Sequence, residues 1–290
     1  MFIATLIASP ARANLNRATV NALRDAWGGG EARWLNPGIA AEFPVPAVPE
    51  NRWEAWEGLR NLGMDLVVQP EHRRRKQMLL ADMDSTMIGQ ECIDELADMA
   101  GVGARVAEIT KRAMNGELDF EEALVERVGL LKGLPESAIA KVLAERITYT
   151  AGGRTLIATM KANGAYAALV SGGFTAFTTA VAHELGFDEH RANMLLAENG
   201  ALTGDVARPI LGREAKIAAL QDITARRGLA PKDVMAVGDG ANDLGMLHLA
   251  GAGVALHAKP SVAARCSIRV NHGDLTALLY IQGYAVADFA

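Results

Sequence analysis

Four short apolar runs, at residues 78–81, 165–170, 234–237 and 253–255, recur along the chain with helix-forming stretches between them. The first three run directly into Asp82, Ser171 and Gly238. Such runs suit buried strands, and their alternation with helices predicts a parallel sheet covered by those helices. The expected fold class is therefore α/β, with a Rossmann-like parallel sheet core. Ligands in such sheets sit outside the carboxyl ends of the strands. Polar residues at those ends become candidates for chemistry.

One crossover breaks the pattern. Residues 88–146 read as helical throughout, with start or stop marks at Gly101, Gly116, Asp119, Gly133 and Pro135. That length exceeds a simple crossover and predicts a helical cap inserted above the strand ends, able to exclude water from a reacting group. Residues 1–72 follow another plan. A strand at the start, a helix over 17–27, a Gly/Pro-rich stretch, a helix over 53–62 and a strand over 64–68 make a small α+β domain of β-α-β-β-α-β tendency. It closes at Gln69-Pro70 and Arg73-Arg74-Arg75-Lys76, read as a solvated linker to the larger domain over 73–290.

Composition removes several classes of partner. A chain of 290 residues, 50% hydrophobic and 22% charged, can bury a sizeable core. Its net charge of −5 provides no global basic field, and no aromatics interleave with the cluster at 73–76, so no nucleic acid partner is expected. No stretch approaches the roughly 18 apolar residues of a membrane span, so no membrane partner is expected either. The apolar opening segment has no Lys or Arg before it and reads as a first strand rather than a signal peptide. Cys92 and Cys266, far apart, fit structural thiols in a reducing compartment, and the protein is expected to be cytoplasmic. The six histidines show no zinc-site spacing, and His248 and His257 read as structural.

Within this frame, Asp82-Met83-Asp84-Ser85-Thr86 places two carboxylates at the end of a buried strand. Alternation sends Asp82 and Asp84 to one face, where close anions raise each other's pKa unless a cation neutralises them. A divalent metal is implied, and with it phosphoryl transfer: one carboxylate attacks phosphorus and the other protonates the leaving oxygen. Ser171-Gly172-Gly173 offers a hydroxyl and backbone N–H groups before a helix, either a phosphate cradle or a plain capped turn. In Gly238-Asp239-Gly240-Ala241-Asn242-Asp243, Asp239 supplies a third acid suited to the oxygen ligands of Mg2+, while Asp243 is either functional or the N-cap of the following helix. Lys216 is a surface charge or a neutraliser of phosphate, placed after a chain reversal near Leu202-Thr203-Gly204. In the cap, Arg127 shares the apolar face of Phe120, Leu124, Val128 and Leu131, so its guanidinium finds either an internal salt bridge or a substrate carboxylate. Glu91 is a first-turn acid or a ligand. Met114 and Phe120 are core residues that could also line a pocket.

Together, Asp82-x-Asp84-Ser85-Thr86, Ser171-Gly172-Gly173-Phe174, Lys216 and Gly238-Asp239-Gly240-x-Asn242-Asp243 resemble the four motifs of the haloacid dehalogenase superfamily. Glu91 and the stretch Phe120-Glu121-Glu122-Ala123-Leu124 leading to Arg127-Val128 resemble the phosphoserine phosphatases within it. The resemblance implies Mg2+-dependent hydrolysis of a small-molecule substrate, O-phospho-L-serine. It implies Asp82 as nucleophile and Asp84 as general acid, then base. The metal would be held by the Asp82 carboxylate, the Asp84 carbonyl and Asp239, with Asp243 in support. Ser171, Gly172 and Lys216 would hold the phosphoryl group with Asn242 nearby, Glu91 would face the substrate ammonium and Arg127 its carboxylate. Residues 1–72 resemble ACT modules, without the usual glycine-rich turn after the first strand, which leaves serine binding or support of a homodimer as their alternative roles. Enzymes for other phosphate esters on the same core are the rival reading.

Overall fold

The computed structural model describes residues 1–114 and 117–290, without the side chains of 113 and 114. The helix stop expected at Gly116 and the pocket role weighed for Met114 lie outside the described residues.

The chain opens with β1 (Phe2–Ala8), α1 (Arg17–Ala26), β2 (Arg33–Asn36), β3 (Ala40–Val45), α2 (Arg52–Asn61) and β4 (Met64–Pro70). The four strands form an antiparallel sheet in the order β2-β3-β1-β4. This is the β-α-β-β-α-β arrangement expected, with β2 and β3 supplied by the Gly/Pro-rich stretch. Leu6, Phe43 and Leu66 from the sheet pack with Val20, Trp56 and Leu59 from the helices in a core of their own. Asn16 caps α1 by accepting the Thr19 N–H at 2.9 Å.

β5 (Met78–Ala81) begins the larger sheet, and the cap follows as α3 (Cys92–Met99), α4 (Gly103–Met114), α5 (Phe120–Gly129) and α6 (Ser137–Glu145). The start mark at Asp119 is a full capping box, its carboxylate accepting the Glu122 N–H while Glu122 accepts the Asp119 N–H. After the cap come α7 (Gly153–Ala162), β6 (Tyr166–Phe174), α8 (Thr175–Leu185) and β7 (Glu189–Asn193). A hairpin of β8 (Leu195–Glu198) and β9 (Ala201–Val206) precedes α9 (Arg213–Arg227) and β10 (Val234–Gly238). The chain finishes with α10 (Leu244–Leu249), β11 (Ala252–Leu256), α11 (Pro260–Ala263), β12 (Ile268–Val270) and α12 (Ala277–Ile281). None of the described helices is long and apolar enough to cross a membrane.

The six-stranded sheet runs β12-β11-β10-β5-β6-β7, and every pairing is parallel. Side-chain alternation divides its interior between two cores. Met78 and Leu80 of β5 pack with Ala168, Val170, Val234 and Ala236, whereas Leu79 and Ala81 pack with Ala167, Leu169, Met235 and Val237. From β5 the chain order runs outward on one side through β6 and β7 and on the other through β10, β11 and β12. The order thus reverses beside β5, and the crevice at this switch point is the natural ligand site.

Two expectations need correction. The chain reversal falls at Asn199-Gly200 rather than at 202–204, because these residues take the left-handed backbone (φ 53° and 79°) that a tight hairpin turn requires. Leu202 instead lies in β9, where it exchanges hydrogen bonds with the cap: the Gly133 N–H donates to its carbonyl at 2.8 Å and its own N–H donates to Leu134 at 2.9 Å. Nor is the cluster at 73–76 solvated throughout, although Arg73 and Arg75 are exposed. Arg74 donates to both carboxylate oxygens of the buried Glu42 on β3 (2.5 and 2.9 Å), and the Arg75 guanidinium lies 4.1 Å from the Tyr284 ring centroid. Glu42 demands this cation because burial has taken its water away. Asp65, also buried, accepts the N–H groups of Asn271, His272 and Gly273 at 2.8–3.0 Å and so ties β4 to the segment after β12.

Candidate active site

Asp82 leaves the end of β5 with its Oδ1 2.6 Å from Lys216 Nζ and accepting the Met83 N–H at 2.8 Å. Among the described residues no hydrogen bond occupies Oδ2. Lys216, on α9, is 1% exposed, which rules out the surface-charge reading. Its Nζ also lies 2.6 Å from Oδ1 of Asp243. Asp243 does not cap α10 with its side chain; its Oδ2 accepts the Gly240 N–H at 2.9 Å. Gly238 makes room for this carboxylate, since a Cβ there would stand 2.4 Å from its Cγ.

Asp239 emerges from β10 next door, and Thr86 Oγ1 donates to its Oδ1 at 3.2 Å. One carboxylate oxygen from each of Asp82, Asp239 and Asp243 lies within 4.8 Å of the others, and all three side chains are buried. Lys216 offsets one of these charges. Three buried carboxylates beside one ammonium leave a net negative pocket, and oxygen donors at this spacing suit a hard divalent cation. The donor set therefore fits the implied metal.

The electrostatics follow from the same crowding. Burial and the neighbouring Asp243 push the Asp82 carboxyl well above the usual carboxylate range, against the pull of Lys216. Burial opposes charge on Lys216, yet Asp243 and Asp82 outweigh it and raise the ammonium's pKa. Asp239 is pushed up to about 6 by burial and Asp243, and Asp84 to about 7 by burial and Glu91. Asp84 Oδ1 accepts the Cys92 N–H at 3.1 Å. Its other oxygen faces Gly173, where a Cβ would stand 2.6 Å from it, so the second glycine of the Ser-Gly-Gly turn is a steric requirement. Cys92 and Cys266 are buried free thiols, and burial raises the pKa of each, as structural thiols require. His248 and His257 each place Nε2 against a backbone carbonyl, of Arg265 and Gly273 respectively.

Above the carboxylates the cap closes a cavity of about 120 Å³. Asp82, Asp84, Asp239, Ser171, Gly172 and Asn242 line its floor, while Glu91, Phe120 and Arg127 reach it from the cap side. Arg127 forms no ion pair among the described residues, so the internal salt bridge weighed from its spacing is not made; its Nε donates to the Ala123 carbonyl at 3.1 Å. Burial lowers its pKa, against the carboxylates of Asp94, Glu91 and Asp84. Glu91 stands at the N-cap position of α3 without a capping bond and accepts from Ser85 Oγ at 2.7 Å. Ser85 itself is held at φ 54°, a strained backbone of the kind that gathers at functional sites.

Three contributors escaped the sequence reading. Lys259, beyond the end of β11, lines the cavity and opposes the upward shift of Asp239; its position on the same sheet edge was the available signal. Thr86 holds Asp239, although it stood inside a quoted motif. Asn193, at the end of β7, is 2% exposed and donates to the carbonyls of Gly172 (2.8 Å) and Leu211 (3.1 Å) while accepting the Leu211 N–H at 2.7 Å. It pins the Ser-Gly-Gly turn from behind.

Residues 79–248 match the family described as haloacid dehalogenase-like hydrolase. The phosphoserine phosphatase of Streptococcus thermophilus is 45% identical over 206 residues, which cover 71% of this chain and 95% of that one. The chain belongs to the phosphoserine phosphatase family of haloacid dehalogenase-like hydrolases. Another member of the phosphoserine phosphatase family, from Archaeoglobus fulgidus, is 43% identical over 227 residues, 76% of this chain, although the match spans only 66% of that relative's length. A solved structure described as a phospho-aspartyl intermediate analogue of phosphoserine phosphatase superposes with a TM-score of 0.66 at 41% identity, covering 71% of this chain and 98% of that one.

Proposed function

We propose that this chain hydrolyses O-phospho-L-serine to L-serine and phosphate, the last step of serine biosynthesis, in the cytoplasm. The observation that carries the reading is the pairing within one cavity of a carboxylate-rich floor with a cap that presents one acid, Glu91, and one unpaired cation, Arg127. A phosphate ester of a zwitterionic amino acid matches both ends. Its phosphoryl group meets the floor, its ammonium Glu91 and its carboxylate Arg127. A site built for paired charges penalises esters that lack them.

In this reading Asp82 Oδ2 attacks phosphorus in line, and the bond to the serine oxygen breaks. Asp84, raised towards neutrality by burial, donates its proton to that oxygen. The phosphoryl group now resides on Asp82. A water then attacks phosphorus, Asp84 takes its proton, and the Asp82 carboxylate is released with inorganic phosphate. Lys216 holds Oδ1 of Asp82, and Ser171, the Gly172 backbone and Asn242 receive the phosphoryl oxygens. Asp82, Asp239 and the Asp84 carbonyl would hold Mg2+, with Asp243 behind them. Bound there, the ion neutralises the converging negative charges. Residues 1–72 form the ACT-like domain and 73–290 the catalytic one.

The test is phosphate release from phosphoserine, phosphothreonine and a neutral phosphate ester, with Mg2+ and then with chelator. Fast release from phosphoserine alone, lost on chelation, is expected. Equal rates on all three esters would remove the roles given to Glu91 and Arg127.

A further inference from the structure

A second cleft lies between α2 of the N-terminal sheet domain and the segment around α11 and β12. Trp56, Arg60, Pro260, Arg269 and His272 form much of its wall, and its volume is about 480 Å³. Its chemistry is out of keeping with a chain of net charge −5. The Arg269 guanidinium stands 4.0 Å from the Trp53 ring centroid and 5.1 Å from that of Trp56, and the Arg60 guanidinium 5.1 Å from Trp56. Arg52 stacks on Trp53 at 5.1 Å. None of the three guanidiniums makes an ion pair among the described residues. Burial and the like charge of Arg52 lower the pKa of Arg269, as crowded cations without a counter-ion must. The one carboxylate in the wall, Glu57, is exposed.

The wall also holds unsatisfied donors and acceptors. Trp56 is 6% exposed, and its Nε1–H is buried without an acceptor. His272 Nε2 is likewise buried without a partner. Buried polar groups normally find partners, so two such exceptions in residues of one wall set this cleft apart. Arg269 is preorganised, because its Nε and Nη2 donate to the Cys266 and Ala264 carbonyls at 2.9 and 3.3 Å.

We propose that this cleft binds a small anion, carrying a phosphoryl or carboxylate group, between Arg60 and Arg269 and against Trp56 and His272. The site is separate from the reaction cavity but shares a loop with it. Ala258 and Pro260 line the cleft, and Lys259 between them lines the cavity.

The test is titration of the full chain with inorganic phosphate and, in a second arm, with succinate, following tryptophan emission. A saturable change in either arm is expected, and the arm that binds more tightly tells phosphoryl from carboxylate recognition. Arg60→Glu, at an exposed position, should weaken that binding at least tenfold while kcat and KM for phosphoserine without added anion stay at wild-type values. No saturable change in either arm, or a change that Arg60→Glu leaves intact, overturns the site.

Discussion

Lys216 Nζ stands 2.6 Å from Oδ1 of Asp243, an aspartate with no solvent exposure, and the same ammonium reaches Asp82 at the same distance. One buried cation therefore holds two buried carboxylates in place. Replacing it by a side chain of similar length without charge, Lys216→Met, leaves both anions facing each other. Breaking a buried pair in this way costs about 3–5 kcal/mol. We expect urea unfolding in chelator to show that loss. Added Mg2+ should recover part of it, since a ligand that binds only the native state stabilises by about 2.7 kcal/mol at a hundred times its Kd. A chelated variant as stable as the parent chain would contradict the account of Lys216.

Arg127 is a cap cation without an ion pair among the described residues, and it lines the cavity that Asp82 and Asp84 floor. Arg127→Ala should raise KM for phosphoserine by about ten- to a hundredfold, the worth of a charged hydrogen-bonded contact of about 1.5–3 kcal/mol. An ester without a carboxylate should lose nothing. Steady-state kinetics on the two substrates decides the matter, and an equal loss on both would assign Arg127 to the cap's packing instead.

In the proposed reaction the attacking oxygen is Oδ2 of Asp82, because Oδ1 is already engaged by Lys216 and the Met83 N–H. Asp82→Asn removes the nucleophile while keeping the shape of the side chain. Turnover should vanish, and phosphoserine binding measured by calorimetry should survive. Residual phosphate release with label trapped on another residue would refute the covalent route through Asp82.

The parts of this site that were legible in the sequence share one property: they follow from local pattern. Asp82 and Ser171 directly follow apolar runs and Asp239 stands one residue beyond another, and the rule that parallel sheets bind ligands at their carboxyl edge was enough to bring them together. Lys216 was not legible in this way. Its burial depends on which face α9 turns to the sheet, and the helix carries charge on every side. Arg74 read as solvated because its partner, Glu42, lies 32 residues away and needs a cation only once β3 is buried. The β8–β9 hairpin escaped because β8 is mostly exposed and carries no clean apolar alternation, although the Asn-Gly at its tip was the one local sign of it.

Asn193 offers the last prediction, since nothing in its strand-end position signalled a role. Its amide holds the Gly172 carbonyl and both polar groups of the Leu211 peptide. Truncation by Asn193→Ala orphans these groups, at about 1–3 kcal/mol of stability, and frees the turn that carries Ser171 and Gly172. A misplacement of about 1 Å in a reacting geometry can cost about a hundredfold in rate. We therefore expect kcat on phosphoserine to fall by roughly ten- to a hundredfold. The preference for phosphoserine over phosphothreonine should hold, because Glu91 and Arg127 share no hydrogen bond with Asn193 among the described residues. Unchanged kcat alongside reduced stability would show that the turn is held by the sheet alone, and a lost preference would show that Asn193 reaches the cap.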